Sequence, residues 1–274
     1  MATVAGTNSE RRSAPDVLSG TPRAHAVDRW IYVFMAAFFL AIVLAGFIPD
    51  SLMKIAMVKA GERPPFPPIL HVHAVLMGSF LLLFLTQTVL MATGRGDLHR
   101  RLGPVAMVLA PALVVVGFIL IPTNYHLLWE ASQSADPAKA ARAAGAVNVW
   151  DNITLLQIQI GVLFSLFLII ALRAREVDAG MHKRMMILAV AMPLPAGIDR
   201  IPWLAHSMPA SPLSPELYTL LAVSPMFVWD VVRNRHVHRA YWIWLGFVVP
   251  TAIAINVVWD APWWHAFVRR LMGV

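Results

Sequence analysis

The sequence predicts an all-α protein, a polytopic transmembrane helix bundle of about seven spans with its N-terminus in the cytoplasm. Three observations carry that expectation. Of 274 residues, 58% are hydrophobic and only 14% charged, whereas soluble domains carry about 25% charged residues; something other than water must cover most of the surface. The apolar residues collect into runs of about 20, the length that crosses about 30 Å of hydrocarbon. Lysine and arginine sit at the ends of these runs, densely on alternate connections, as the positive-inside rule describes.

Residues 1–28 come first. They are polar, with Pro15 and Pro22, the composition of a disordered cytoplasmic tail. Residues 29–274 form the transmembrane helical domain, with 69–201 as its core. The run 30–48 starts too late and is too long for a signal peptide, and is read as a retained helix. Pro64, Pro65, Pro67 and Pro68 then lead into the second run, 69–92. Runs 102–121 and 149–172 are the third and fourth. The fifth and sixth, 185–201 and 217–232, are shorter and contain Pro193, Pro195 and Pro225, which predicts a tilted or broken helix. The seventh, 241–258, is followed by Trp259, Trp263 and Trp264, placed as an interfacial aromatic belt. The tail with Arg29 just after it and the short connections 93–101, 173–184 and 233–239 hold 14 of the 22 lysines and arginines, which puts those connections in the cytoplasm.

Composition also narrows the chemistry. With no cysteine, disulfides, thiolate catalysis and cysteine-bound metals are excluded. Ten histidines remain as ligands for a metal or haem iron. The formal net charge of +7 belongs to helix ends that meet lipid headgroups. Membrane lipids are the expected partners, and nucleic acid is not.

A charge at the centre of a span costs about 2.5–3.5 kcal/mol on insertion scales, so polar residues there need a partner or a task. They fall into two layers. In the outer layer, the i, i+2 spacing sends His71 and His73 to nearly opposite sides of their helix. His73 precedes Gln87 by almost four whole turns, which makes His73 the inward one. His126 leaves the third span at the same level. The fourth contributes Asp151, Asn152, Gln157 and Gln159, and the fifth ends in Asp199 and Arg200, an ion pair or two separate binding groups. The inner layer holds His99, His182, His236, His238 and Asp230. His99, His182 and His238 each precede a basic residue at a helix start. That echo fits a repeat around a shared site, and it equally fits a recurring positive-inside flank.

Three functional readings follow. In the first, histidines at two depths hold b-type haems between helices: His99 with His182 or His238 inside, and His73 with His126 outside. Arg200 and the basic inner loops would face the propionates. Such a protein passes electrons to or from quinone or another carrier. In the second, His71, His73, His126, Asp151 and Asp199 supply zinc for a membrane hydrolase acting on a lipid-like substrate. In the third, Pro193, Pro195, Gln157 and Gln159 form the midplane site of a small-solute transporter. Against all three stands a plain alternative. Topology alone explains the basic helix starts, His71 and His73 sit at a wet interface, and His25, His206 and His265 are tail or loop residues.

At Leu98-His99-Arg100-Arg101-Leu102-Gly103 and His182-Lys183-Arg184-Met185 the chain resembles a bacterial family of uncharacterised multi-span membrane proteins. Its members carry a histidine at the head of one helix, then an LHRxLG start and an H-x-R/W-M start on later ones. The matching positions here are His71 or His73, His99 and His182, within about residues 69–200. The resemblance implies a multi-pass protein of the bacterial cell (inner) membrane and no particular activity. More distantly the chain is similar to haem-carrying four-helix membrane cytochromes, including b-type and ferric-reductase-like proteins, which implies transmembrane electron transfer by analogy. The fourth span has no histidine, a departure from their pattern that argues against two complete bis-histidine sites.

Overall fold

The computed structural model describes Asp16, Leu18 and residues 25–274. Among these, the regular structure is helical: α1 (Ala26–Lys59), α2 (Pro68–Ala92), α3 (Gly96–Ser132), α4 (Pro137–Ala174), α5 (Ala179–Ala191), α6 (Leu194–Ile198), α7 (Leu213–Asn234), α8 (Arg239–Val258) and α9 (Pro262–Met272). Five of them, α1, α2, α3, α4 and α8, are long and apolar enough to cross a membrane. Large apolar side chains stand bare on their outer surfaces, among them Val75, Val108, Ile253 and Val257, a coat that suits lipid and not water.

Each of the seven runs read from the sequence is helical, but the lengths differ. α3 and α4 have 37 and 38 residues, about 55 Å each at 1.5 Å per residue, so they outrun the hydrocarbon. Their extra turns form a helical hairpin past the ends of the apolar runs. Asp136 caps the return helix by accepting from the N–H groups of Ala138 and Lys139, with Pro137 in the first turn. The fifth run is broken, as its prolines predict. α5 ends at Ala191, and Pro193 and Pro195 bring no N–H to the carbonyls four residues back.

The broken segment is also the centre of the bundle. Met185, Ile187, Leu188, Ala189, Val190 and Ala191 are all at most 1% exposed, and α5 packs against α1, α4, α7 and α8. A helix covered by protein on every side takes small and apolar residues all round. At the far side of the break, α1 and α6 approach so closely that a Cβ on Gly46 would overlap the Gly197 carbonyl.

α9 was not anticipated. It is a short amphipathic helix that buries Trp264 and Val268 against Tyr125 and Val147. The expectation of a disordered tail lies mostly outside the described residues. Within that stretch, however, Leu18 is buried and Asp16 is bonded to the bundle, and α1 already begins at Ala26.

The helix ends sort into two groups. Asp28 at the start of α1 accepts from Trp229 Nε1 and Arg233 Nε at the end of α7, at 2.9 and 3.0 Å. Gln87 of α2 donates to the His99 carbonyl of α3, and Arg239 of α8 bonds Asp178 before α5. The short basic connections and the start of α1 therefore share one end of the bundle, which we call the inner end.

Candidate functional site

At the inner end the starts of α3 and α5 bring His99 and His182 together. Their ring centroids are 6.3 Å apart with the planes inclined at 76°. His182 Nδ1 lies 2.8 Å from the Ala171 carbonyl, a contact that requires the N–H at Nδ1 and leaves Nε2 with its lone pair. His99 Nδ1 and Gln87 Oε1 are buried without a hydrogen-bond partner among the described residues. Burial is the main influence holding the His182 imidazole below its ordinary pKa; the Ala171 contact opposes it, and the charge of Arg175 adds to it. His182 is therefore neutral at pH 7, the form that binds a metal. This is the pairing the sequence offered first.

The other inner ligand, His238, is otherwise engaged. It caps α8, its Nδ1 accepting from the Ala240 N–H at 3.1 Å, a role open only to the neutral ring. Burial and then the charge of Arg184 pull its pKa down to about 4.

Next to His182 lies a residue that flank reasoning overlooked. Arg184 is fully buried, with Nε 2.5 Å and Nη2 2.8 Å from the two oxygens of Asp230. Asp16 accepts from Nη1 at 2.8 Å and from Nη2 at 3.0 Å. Burial opposes the charge, but these carboxylates more than offset it and raise the guanidinium's pKa. Sequence reasoning counted Arg184 as a topology charge. The available signal was Asp230, a carboxylate inside an apolar run that needed a cation.

At the outer end a second polar network joins α3, α4 and α9. The Tyr125 hydroxyl donates to Asp151 Oδ1 at 2.6 Å, and His265 Nδ1 lies 2.8 Å from Oδ2. Trp264 Nε1 donates to the Asp151 carbonyl, Asn152 and Asp260 exchange two hydrogen bonds, and Arg269 bonds Asn148. His265, expected in a loop, is thus part of the best-connected polar cluster on this side. Asn152 and Gln159 share a face, as their spacing requires: Gln159 reaches Thr251 on α8 at 2.8 Å.

These contacts correct the outer-layer ligand sets. His126 is exposed, and so is His71. His73 points inward, its Nε2 4.0 Å from where a Cβ on Gly117 would lie. Gly117 is nine residues, about 13 Å, along α3 from His126, too far for one iron to join the pair. Asp151 is taken by Tyr125 and His265. Asp199 is not paired with Arg200. Its Oδ1 is 4.0 Å from His206, whereas Arg200 Nε is 3.5 Å from Asp50 and its guanidinium stacks over Phe47. Arg200 thus belongs to the outer end, away from inner propionates. Among the described residues no three His, Asp or Glu side chains gather as a metal site, so the zinc set His71, His73, His126, Asp151 and Asp199 is not assembled.

One further feature lies at the helix break. A cavity of ≈ 70 Å³ is lined by His73 and Met77 of α2, Gly117 and Phe118 of α3, Gln157, Gly161 and Phe164 of α4, and Pro193. It joins the inward outer-layer histidine to two of the residues expected at a midplane site. No protein-family model matches the chain, and no curated protein or solved structure matches it either.

Proposed function

We propose that this chain is a seven-span protein of the bacterial inner membrane, with its N-terminus and short basic connections in the cytoplasm, and that it is a redox protein holding one haem b between His99 and His182. The observation that carries this reading is the meeting of two imidazoles from different helices, one with a buried, unpaired ring nitrogen. Two metal–nitrogen bonds of about 2 Å, plus the radii of the rings, put centroids about 6 Å apart, so the spacing suits a single metal atom. Haem iron fits the donor set better than zinc. Zinc sites use three or four protein ligands, and no third donor joins this pair among the described residues. Haem iron would ask the chain for two ligands alone, which His99 and His182 would supply.

The residues around the pair fit the same role. The Ala171 carbonyl fixes the tautomer and orientation of His182, as an outer-shell partner does for a ligating imidazole. Arg100 and Arg175, whose charges act on the two rings, suit carboxylate side groups. Haem, when bound, supplies one-electron chemistry; the chain's part is to keep the imidazoles neutral and oriented. The absorption spectrum of detergent-purified protein tests this. A Soret band that His126→Ala keeps and that His99→Ala and His182→Ala lose is expected. Colourless protein from haem-replete cells ends the proposal.

Solute transport is the second reading, favoured by the cavity at the break between α5 and α6. Uptake into proteoliposomes by colourless protein would select it.

A further inference from the structure

We propose that the cavity between α2, α3 and α4 is a binding site for the head group of a quinone-class lipid: a flat, uncharged ring carrying carbonyl or hydroxyl oxygens. This deepens the redox reading by naming its substrate class, and rests on that reading for its purpose. Four observations converge on it. The walls are apolar and include two aromatic rings and a thioether, from Phe118, Phe164 and Met77, surfaces that favour a flat conjugated ring. Among the described residues no charged side chain lines the cavity, which disfavours an ion or a charged solute in an apolar surrounding.

The two exceptions to this lining are His73 and Gln157. Neither is hydrogen-bonded to a described residue, and unpaired polar groups inside a membrane bundle are costly unless something satisfies them. An imidazole and a carboxamide are suited to the oxygens of such a ring: each can donate, and each can also accept from a hydroxyl after reduction.

The fourth observation concerns size and entry. Gly117 and Gly161 remove two side chains from the walls. The ring of Phe118 lies in the notch that Gly161 leaves, its Cζ 2.5 Å from where a Cβ would stand. Yet Phe118 is 40% exposed, so the side chain that fills the notch also borders the outer surface of the bundle. Turning out would vacate room for a six-membered ring beside the existing ≈ 70 Å³ and open the site laterally to the hydrocarbon, where a quinone resides.

The test uses the full chain in lipid nanodiscs and a photoreactive alkyl-benzoquinone, with labelled peptides mapped by mass spectrometry. Labelling should concentrate on α2, α3 and α4 and be displaced by unlabelled alkyl-benzoquinone. His73→Ala and Gln157→Leu should each weaken displacement about tenfold, as losing one hydrogen bond in a dry site does. His73→Gln, which keeps an N–H donor, should retain most of it, and Gly117→Leu, which fills the cavity without removing a polar group, should abolish it. His126→Ala is the exposed control. Label spread over the lipid face without displacement, or displacement unchanged in both His73→Ala and Gly117→Leu, overturns the site. Specific labelling of a colourless protein sinks the haem reading and leaves this one standing. A Soret band without displaceable label does the reverse.

Discussion

At the scale of single residues, the strongest constraint is Arg184. A guanidinium with no exposed surface is tolerated only because Asp230 meets it with two hydrogen bonds and Asp16 with two more. Removing one partner leaves a buried charge short of compensation, which is far costlier than never having buried it. Asp230→Leu should therefore destabilise the detergent-solubilised protein by about 3 kcal/mol, the low end for breaking a buried pair, because Asp16 remains. Pairing it with Arg184→Met should recover most of the loss, since a matched apolar pair avoids desolvation altogether. Thermal melts of the three variants check this; a double variant no better than Asp230→Leu would refute the charge-balance account. The same residue marks a limit of sequence reading. A run such as His182-Lys183-Arg184 looks alike whether its charges face headgroups or the core; Asp230 shows that some cation must be buried, and only the three-dimensional placement says that it is Arg184.

At the scale of elements, periodicity and length were informative where helices face lipid and poor where they do not. All seven apolar runs are helical, and Pro193 and Pro195 announced the break after α5. The ends were less legible. α3 and α4 continue past the apolar runs because residues 122–148 keep good helix formers with only Pro122 and Pro137 among them, and a long helix can leave the bilayer wherever its neighbour leaves with it. α9 escaped notice because eleven residues cannot span and because Trp263 and Trp264 already had an interfacial explanation. Trp264 is in fact a core residue, 6% exposed, with its indole N–H on the Asp151 carbonyl. α9 is thus attached by one apolar face and one polar junction, in which Asp151 accepts from both Tyr125 and His265. Asp151→Leu should leave the buried Tyr125 hydroxyl without its acceptor at about 1–3 kcal/mol, and leave the half-buried His265 with only Asp260, 3.5 Å from its Nε2. Hydrogen exchange over residues 262–272 should accelerate markedly while the start of α5 stays protected. Unchanged exchange in α9 would show that Trp264 and Val268 hold it unaided.

At the scale of the whole molecule, the division into two polar layers was legible because it follows from connectivity. Hairpins of antiparallel spans return every second connection to the same end, whatever the side chains do. What connectivity does not set is the pairing within a layer, which depends on rotation about each helix axis and on the register between helices. That is why His99 meets His182, whereas His73 meets α3 at Gly117, about 13 Å along that helix from His126. The orientation in the membrane rests on a separate physical bias, the retention of lysine and arginine on the cytoplasmic side. Contacts strengthen the grouping on which that argument depends, because Asp28 and Arg233 tie the beginning of α1 to the end of α7, and Arg239 ties the start of α8 to Asp178. One end of the bundle thus gathers the basic connections, the histidine pair and Arg184. Reporter fusions after residues 95, 176 and 235 should all be active in the cytoplasm, and a fusion after residue 274 should be active outside. If the fusions after 95 and 176 fall on opposite sides, α3 and α4 do not both cross the membrane, and the joint placement of His99 and His182 at a cytoplasmic face fails with them.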